Sequence, residues 1–396
     1  MGATGSIQPT RDDLRRNSAA TATVLGEFVV AGVVTVLLGP ILPVLISRWS
    51  LSDERAGLFF TVQFTSNMAG LASLSALLPK RGYKFTLVLG FAAIALGLAG
   101  LNASSQFGGL AATAVYGYGL GLVLSSSNLW VAETAESRRV AALSILNFAW
   151  GVGAIACPPL VLLAQRHGAI SWFLYGVAGS AICAALALIM MDLGVRTRTQ
   201  TQDAAEPPKR WASKLTAIAF GALFYLYVGT ENSVAGWAAA LTKRMGSAPK
   251  DLWALAPMFF WGGLMAGRAF VPVNPLRKRE RALVTIGLIM ALAGSVVLLA
   301  VRTFWGVAVS VGVTGLGLAA VYPVLLAWMA KYLGERARRV GNVLFGLSAL
   351  GGATMPWLVG FFSVREGSLR AGLLVPVVAC IAMLAFLFWI PRRVTG

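Results

Sequence analysis

Three ionisable residues lie within long apolar segments of the chain, where burying a charge is expensive. They are Glu27, Glu231 and Arg268, and Glu133 lies close to the end of a further apolar segment. An ionisable side chain in such surroundings costs several kcal/mol and usually marks a binding site, a proton pathway or a charge pair. Each of these residues is therefore a candidate for one of the three roles.

Glu231 is the strongest candidate for binding a ligand. It lies 17 residues beyond Lys214, or about 25 Å along a helix that rises roughly 1.5 Å per residue. Its carboxylate can accept hydrogen bonds from two sugar hydroxyls, and the adjacent Asn232 adds a donor and an acceptor. Trp237 can lie under the apolar face of a sugar ring. The alternative interpretation is a helix-packing motif in which Glu231 bonds to a neighbouring helix.

The other ionisable residues are open to two interpretations each. Arg268 needs either a counter-charge or an anionic ligand. If it binds the substrate, the substrate is an anion, whereas pairing with Glu27 or another acid gives it a structural role. Glu27 is either a titrating group or a carboxylate that reaches towards water at the end of its segment. Glu133 is a further acid that can take part in proton coupling.

Amide and aromatic side chains supply candidates for a site that binds a neutral polyol. Amides both donate and accept hydrogen bonds, as a hydroxylated ligand requires, but they also join neighbouring helices. Gln63 and Asn67 are four residues apart, and Asn147 and Trp150 are three apart, so each pair shares one helix face. The remaining candidates are Asn128 and the ring-bearing residues Trp261 and Tyr322.

The composition excludes most hydrolytic and metal chemistry. The chain has one histidine, His167, and three cysteines that lie in apolar segments without the spacing of metal ligands. A zinc site or a Ser–His–Asp triad needs more than this. We therefore expect no enzyme, no catalytic residue, no metal and no cofactor.

The same composition places the candidate residues in a membrane protein. Hydrophobic residues make up 57% of the 396 residues and charged residues 12%, against roughly 25% charged in soluble proteins. The mean hydropathy is +0.75. The net charge of +18 lies in short gaps between apolar segments, which indicates membrane topology instead of nucleic-acid binding.

Twelve apolar segments follow one another, each close to the roughly 20 residues that cross a bilayer. We place them at 21–47, 56–79, 84–103, 108–132, 140–164, 169–192, 215–242, 252–274, 282–301, 304–331, 339–363 and 370–391. The longest polar gap divides them six and six. We predict an all-α membrane protein with an N-terminal tail (1–20), a six-helix bundle (21–192), a linker (193–213), a second six-helix bundle (214–391) and a C-terminal tail (392–396).

Basic residues predict the orientation of these segments. Alternate gaps on one side hold 23 of the 33 Lys and Arg residues, and the gaps on the other side hold 9. Because Lys and Arg accumulate in cytoplasmic loops, both termini and the 193–213 linker are expected in the cytoplasm of a multi-pass protein of the bacterial inner membrane.

The two halves of the chain also resemble each other. At an offset of 197 residues, Gly32 and Gly39 align with Gly229 and Gly236, and the run 68–70 aligns with 265–267. Two matching six-helix halves around a central site are an architecture of transporters.

This layout resembles the major facilitator superfamily over the whole chain. The basic turn Pro79–Lys84 is similar to the superfamily's loop between helices 2 and 3, and Glu133–Arg139 with Gly334–Arg339 resembles its cytoplasmic charge clusters. The resemblance implies two pseudo-symmetric bundles and an inner gate. The implied gate residues are Arg138, Arg139, Glu335, Arg338, Arg339 and the nearby Asn342.

Two stretches resemble the fucose–proton symporter branch and its sugar-transporting relatives. Tyr227–Trp237 is similar to a run of that branch, with Ala235 in place of a glycine, and Gly117–Asn128 is a weaker match. In those symporters, two acidic residues serve proton coupling. One lies four positions before a proline in helix 1, and the other lies four positions before an asparagine in helix 4. This chain has Gly39 before Pro43 and Leu124 before Asn128, which favours weak or absent coupling, or coupling through other acids.

Together these features predict the alternating-access transport of a small neutral sugar, a hexose such as glucose, galactose or fucose. Uniport and proton-coupled symport both remain open. The alternative is an exporter of amphipathic drugs or organic anions, which Arg268 would favour. We expect a monomer that contacts the sugar, the lipid bilayer and, in the case of symport, protons.

Overall fold

The computed structural model describes residues 11–103, 105–135, 138–191, 193, 214–246, 251–271, 279–333 and 337–390. Every regular element in this part of the chain is a helix. The expected all-α class is therefore confirmed.

The helices fill the twelve predicted segments, and we number the spans accordingly. Spans 1 to 6 consist of Arg11–Val36 with Leu38–Trp49, then Asp53–Gly100 (spans 2 and 3), Gln106–Thr134, Arg139–Arg166 and Ile170–Met190. Spans 7 to 12 consist of Lys214–Met245, Leu252–Leu255 with Ala256–Phe270, Glu280–Ala300, Phe304–Leu318 with Val321–Leu333, Ala337–Arg365, and Leu369–Gly372 with Leu374–Leu387.

Length and composition show how these helices relate to a bilayer. Eight helices of the described residues are long and apolar enough to cross one, and the two parts of span 1, bent by 43°, make a ninth. The 48-residue helix Asp53–Gly100 would be about 70 Å long if it were straight, which is more than twice the thickness of a hydrocarbon core. Gly82 interrupts it with a positive φ of 74°, so this stretch holds two spans.

Two spans break where a proline removes a helical hydrogen bond. The first part of span 1 ends at Val36, whose carbonyl would bond to the N–H that Pro40 lacks. Span 10 breaks after Leu318, next to Ala319, whose carbonyl has the same relation to Pro323. Span 1 begins at Arg11, ten residues before the predicted start of segment 1. Residues 194–213 of the predicted linker and 391–396 lie outside the described residues.

The internal repeat is visible in the packing of the glycine-rich spans. A Cβ at Gly117 would collide with the backbone oxygen of Gln63, and a Cβ at Gly315 would collide with that of Phe260. Gly117 and Gly315 are 198 residues apart, and Gln63 and Phe260 are 197 residues apart. Span 4 therefore packs on span 2 as span 10 packs on span 8. The same relation joins the close pairs Gly90–Gly119 and Gly287–Gly317.

An ion pair and several hydrogen bonds join the two bundles at one face. We call this face outer, following the predicted orientation; it holds the connections after spans 1, 3, 5, 7, 9 and 11. There Arg244 of span 7 forms an ion pair with Asp53 of span 2, and Ser363 of span 11 donates to the same carboxylate. Lys243 donates to Ser47 Oγ at 3.1 Å and to the carbonyl of Pro43 at 3.3 Å. We call these contacts the outer seal.

Candidate functional site

A narrow cavity lies between the two bundles, where residues of both halves meet. Its polar and aromatic lining consists of Thr35 and Gln63 from the first half and Asn232 and Trp261 from the second, with Gly39, Phe60 and Gly236 beside them. Thr35 and Asn232 are 197 residues apart, as are Gly39 and Gly236, so the cavity lies where repeat-related positions face each other. Its free volume is about 10 Å³, enough for roughly one water molecule.

Gln63 is held in one orientation by its neighbours. Its Oε1 accepts a hydrogen bond from the Tyr116 hydroxyl at 2.8 Å, and its Nε2 donates to the backbone oxygen of Thr35 at 3.0 Å. Trp150 Nε1 donates to Thr35 Oγ1 at 3.3 Å. Because an amide nitrogen carries two protons, Gln63 keeps one donor for a ligand in the cavity.

Trp150 and Trp261 form an aromatic contact between the halves. Their ring centroids are 5.5 Å apart and the rings are nearly perpendicular, an arrangement that aromatic pairs favour. Close by, a Cβ at Gly151 would collide with the side chain of Met265, so spans 5 and 8 approach closely here. Trp150 and Trp261 therefore both lie at the bundle interface, and Trp261 also lines the cavity.

A charged cluster lies in the second half of the chain, next to the cavity residue Asn232 in sequence. It contains Glu231 and Tyr227 of span 7, Arg268 of span 8 and Tyr322 of span 10, and Arg268 interacts electrostatically with each of the other three. The rings of Tyr227 and Tyr322 are 5.2 Å apart. The cluster joins three helices of one bundle and brings three predicted residues together.

Glu27 has a different environment. Only 3% of its surface is exposed, and neither carboxyl oxygen has a hydrogen-bond partner among the described residues. Glu27 is therefore outside the hydrogen-bond networks of the described residues.

The three asparagines outside span 2 that are predicted to bind substrate share one feature. Each donates one amide proton to a carbonyl of its own helix, four residues earlier: Asn128 to Leu124, Asn147 to Leu143 and Asn232 to Val228, at 2.7 to 2.9 Å. The amide oxygen and the second proton are therefore left for other partners. Only Asn232 lines the cavity, whereas Asn147 is exposed and Asn67 is partly buried on span 2.

Trp237 lies in a different place from the one expected of a stacking residue. It is completely buried, and its Nε1 donates to the carbonyl of Pro356 at 2.9 Å. The indole therefore joins spans 7 and 11 and presents no open face to a ligand in this structure.

The predicted inner gate is described only in part. Arg138, Arg139 and Glu133 are exposed at the connection between spans 4 and 5, and Glu133 lies beside the Tyr83 hydroxyl. Glu335 lies outside the described residues. Arg338, Arg339 and Asn342 belong to the helix Ala337–Arg365, but their side chains also lie outside the described part.

The family model named Major Facilitator Superfamily matches residues 24–279 of the chain. The chain belongs to this superfamily. It is thus a multi-pass membrane transporter and not an enzyme. No curated protein matches its sequence.

Three solved structures share the superfamily fold with this transporter. A bacterial homologue of the human lysosomal transporter Spinster, in an inward-facing and occupied conformation, is 16% identical, with a TM-score of 0.72 and coverage of 96% of this chain and 98% of the other. The nucleoside transporter NupG is 12% identical, with a TM-score of 0.76 and coverage of 94% of this chain and 100% of the other. A D-xylose–proton symporter is 15% identical, with a TM-score of 0.73 and coverage of 94% of this chain and 97% of the other. At these identities the likeness shows the fold alone.

Thr35, Tyr116 and the outer seal are absent from the sequence-based candidates. Thr35 had a usable signal, because the repeat offset aligns it with Asn232. Tyr116 had none, since it contacts Gln63 across 53 residues of sequence. Asp53 and Arg244 lie at segment ends, where charged residues are ordinarily explained by topology alone.

Proposed function

We propose that this transporter carries a small neutral sugar, a hexose such as glucose, galactose or fucose, across the bacterial inner membrane by alternating access. The cavity between the bundles carries the proposal. It offers the amides of Gln63 and Asn232 and the ring of Trp261 from opposite halves. Amides match hydroxyl groups in both donor and acceptor roles. The similarity of Tyr227–Trp237 to a run in the fucose–proton symporter branch supports the same substrate class.

The charges near the cavity favour a neutral substrate over an anion. None of the residues that line it is ionisable. Arg268 interacts with Glu231 within the charged cluster, so these two opposite charges offset each other. An exporter of organic anions would need a site with a net positive charge. The interaction of Arg268 with Glu231 offsets the positive charge that most favoured such an exporter.

The size of the cavity requires the bundles to move for a sugar to bind. Space for about one water molecule cannot admit a hexose. The outer seal and the contact between Trp150 and Trp261 hold the halves together in this conformation. Rocking of the two bundles about the central site would separate these contacts and expose the amides to each side in turn.

A thermal-shift screen of the purified protein tests the substrate class. We expect stabilisation by one or more hexoses, and no effect of organic acids or amphipathic drugs, because ligands that bind the native state stabilise it. Counterflow of the labelled sugar in proteoliposomes then tests transport. Stabilisation by drugs alone, with drug resistance in cells that express the protein, would replace this proposal with an exporter.

A further inference from the structure

The side-chain amide of Gln63 lies between a backbone oxygen and a hydroxyl group, and these two neighbours determine which way it points. The backbone oxygen of Thr35 can only accept a hydrogen bond, and it receives one from Nε2 at 3.0 Å. The Tyr116 hydroxyl lies 2.8 Å from Oε1, an atom without a proton, so the hydroxyl is the donor. Together these bonds exclude the flipped amide, in which Oε1 would face the Thr35 oxygen.

Tyr116 holds the amide from the closed side of span 2. The residue is completely buried in span 4, and it is not among the residues that line the central cavity. Next to it, a Cβ at Gly117 would lie 2.7 Å from the backbone oxygen of Gln63, so the two spans are in direct contact at this level. Oε1 is therefore directed into the first bundle, and Tyr116 can act on a ligand only through Gln63.

One amide proton of Gln63 remains for a ligand. Nε2 carries two protons, and Thr35 takes one of them. Gln63 lines the cavity although only 3% of its surface is exposed. A donor that is fixed before the ligand arrives costs little conformational entropy on binding. This wall of the cavity is thus suited to a ligand group that accepts a hydrogen bond.

We propose that Tyr116 is a positioning residue that fixes, through Gln63, a hydrogen-bond donor at the first-half wall of the cavity, where the substrate presents a hydroxyl oxygen as acceptor. The inference rests on the proposed function and specifies one contact of its site. Without the Tyr116 hydroxyl the amide is held at one end only. Its free proton then samples several directions, and binding weakens although no atom that touches the sugar has changed.

Calorimetric titration of the full chain in nanodiscs with D-glucose, D-galactose and L-fucose tests this role. Tyr116→Phe keeps the buried ring and removes only the hydroxyl, so we expect the sugar that binds the wild type to bind about fivefold more weakly, the effect of one neutral hydrogen bond. The matched control is Tyr118→Phe, because the Tyr118 hydroxyl joins the same two spans by donating to Ser73 Oγ at 3.0 Å, outside the cavity. Equal sugar affinity in Tyr116→Phe and the wild type would overturn the positioning role.

A double-mutant cycle shows whether Tyr116 acts through Gln63. In the Gln63→Leu background, the hydroxyl has lost its acceptor, so adding Tyr116→Phe should cause no further loss of sugar affinity. A general loss of packing would instead add to the effect of Gln63→Leu. Additive losses in the double variant would contradict the proposal, whatever the size of the single effects.

Fluorinated sugars test the direction of the hydrogen bond. Fluorine accepts a hydrogen bond weakly and cannot donate one. At the hydroxyl position that faces Gln63, we therefore expect the deoxyfluoro analogue to bind the wild type about threefold better than the deoxy analogue. This difference should disappear in Gln63→Leu. If it is the same in Gln63→Leu as in the wild type at every ring position, the sugar does not accept from Gln63.

Nuclear magnetic resonance without sugar separates this inference from the sugar proposal. With ¹⁵N in the glutamine side chains, the Gln63 signals are those missing from Gln63→Leu. We expect the Gln63 amide protons to exchange with solvent about fivefold faster in Tyr116→Phe than in the wild type or Tyr118→Phe. If no sugar binds but exchange changes as expected, the proposed substrate class fails and the positioning of the amide stands. Unchanged exchange overturns the positioning role for any substrate.

Discussion

The two bundles share one backbone plan but contribute different polar groups to the centre of the transporter. In the first half, Gln63 is neutral and held by Tyr116 and Thr35, and Glu27 is buried without a partner among the described residues. In the second half, Glu231 and Arg268 form a charged cluster with two tyrosines. Glycine contacts repeat between the halves, whereas these side chains do not.

This difference separates the part of the repeat that maintains the architecture from the part that sets specificity. Contacts such as Gly117–Gln63 and Gly315–Phe260 need a missing side chain at one position and only backbone at the other. Gln63 and Phe260 present only backbone in these contacts, so their side chains are free to differ. The amide of Gln63 lines the cavity, whereas the ring of Phe260 is buried. We expect the charged half to contribute most to binding and Glu27 to contribute least.

The largest effect is expected from Glu231→Gln. The substitution removes a carboxylate proposed to bind sugar hydroxyls and leaves Arg268 without its counter-charge. We expect the affinity for the sugar to fall by about 10- to 100-fold, because hydrogen bonds to a charged group contribute about 1.5–3 kcal/mol. Isothermal titration with the sugar found in the thermal-shift screen measures the change. Unchanged affinity would remove Glu231 from the site.

A double variant separates binding from stability in this cluster. Removing one of two opposite charges that offset each other away from water leaves the other uncompensated, whereas removing both leaves no uncompensated charge. Glu231→Gln combined with Arg268→Gln should therefore recover thermal stability without recovering affinity. Recovery of both would mean that the cluster acts only in packing.

An intermediate effect is expected from Gln63→Leu. Leucine has no polar atoms, so the substitution removes the acceptor of the Tyr116 hydroxyl and the amide that faces the cavity. We expect sugar affinity to fall by about tenfold, the equivalent of roughly 1.4 kcal/mol. The control is Asn67→Leu on the same face of span 2, which does not line the cavity. Equal losses in both variants would show that the sugar reaches further along span 2 than the cavity does.

The fold was predictable because the properties that determine it are local. Apolar runs of membrane length, prolines and basic gaps are visible in the sequence, and they correspond to the helices and to the breaks at Val36 and Leu318. Gly82 marks the turn between spans 2 and 3 because it adopts a positive φ. The exception is the start of span 1 at Arg11, since polar residues such as Arg15 gave no apolar signal.

The candidate site was predictable only where polarity itself is the signal. Gln63 and Asn232 stand out in apolar segments, and both line the cavity. Trp237 looked like a stacking residue because it follows Glu231, but a sequence does not show which helix face is covered, and Trp237 is completely buried with its Nε1 bonded to the Pro356 carbonyl. Thr35, Tyr116 and the pair Asp53–Arg244 depend on contacts between distant spans, which one sequence does not reveal.

The smallest effect is expected from Glu27→Gln, which sharpens the contrast between the two buried carboxyl groups. Glutamine keeps the shape of the side chain and cannot titrate, and Glu27 has no hydrogen-bond partner among the described residues that the substitution could remove. We expect the rate of sugar counterflow near neutral pH to stay within about twofold of the wild-type rate. A twofold change corresponds to only about 0.4 kcal/mol. The control is Glu133→Gln, because Glu133 is an acid with access to water at the end of span 4. If sugar uptake made the medium around cells alkaline, and Glu27→Gln abolished that signal but kept counterflow, Glu27 would be the proton-coupling residue and the transporter a symporter.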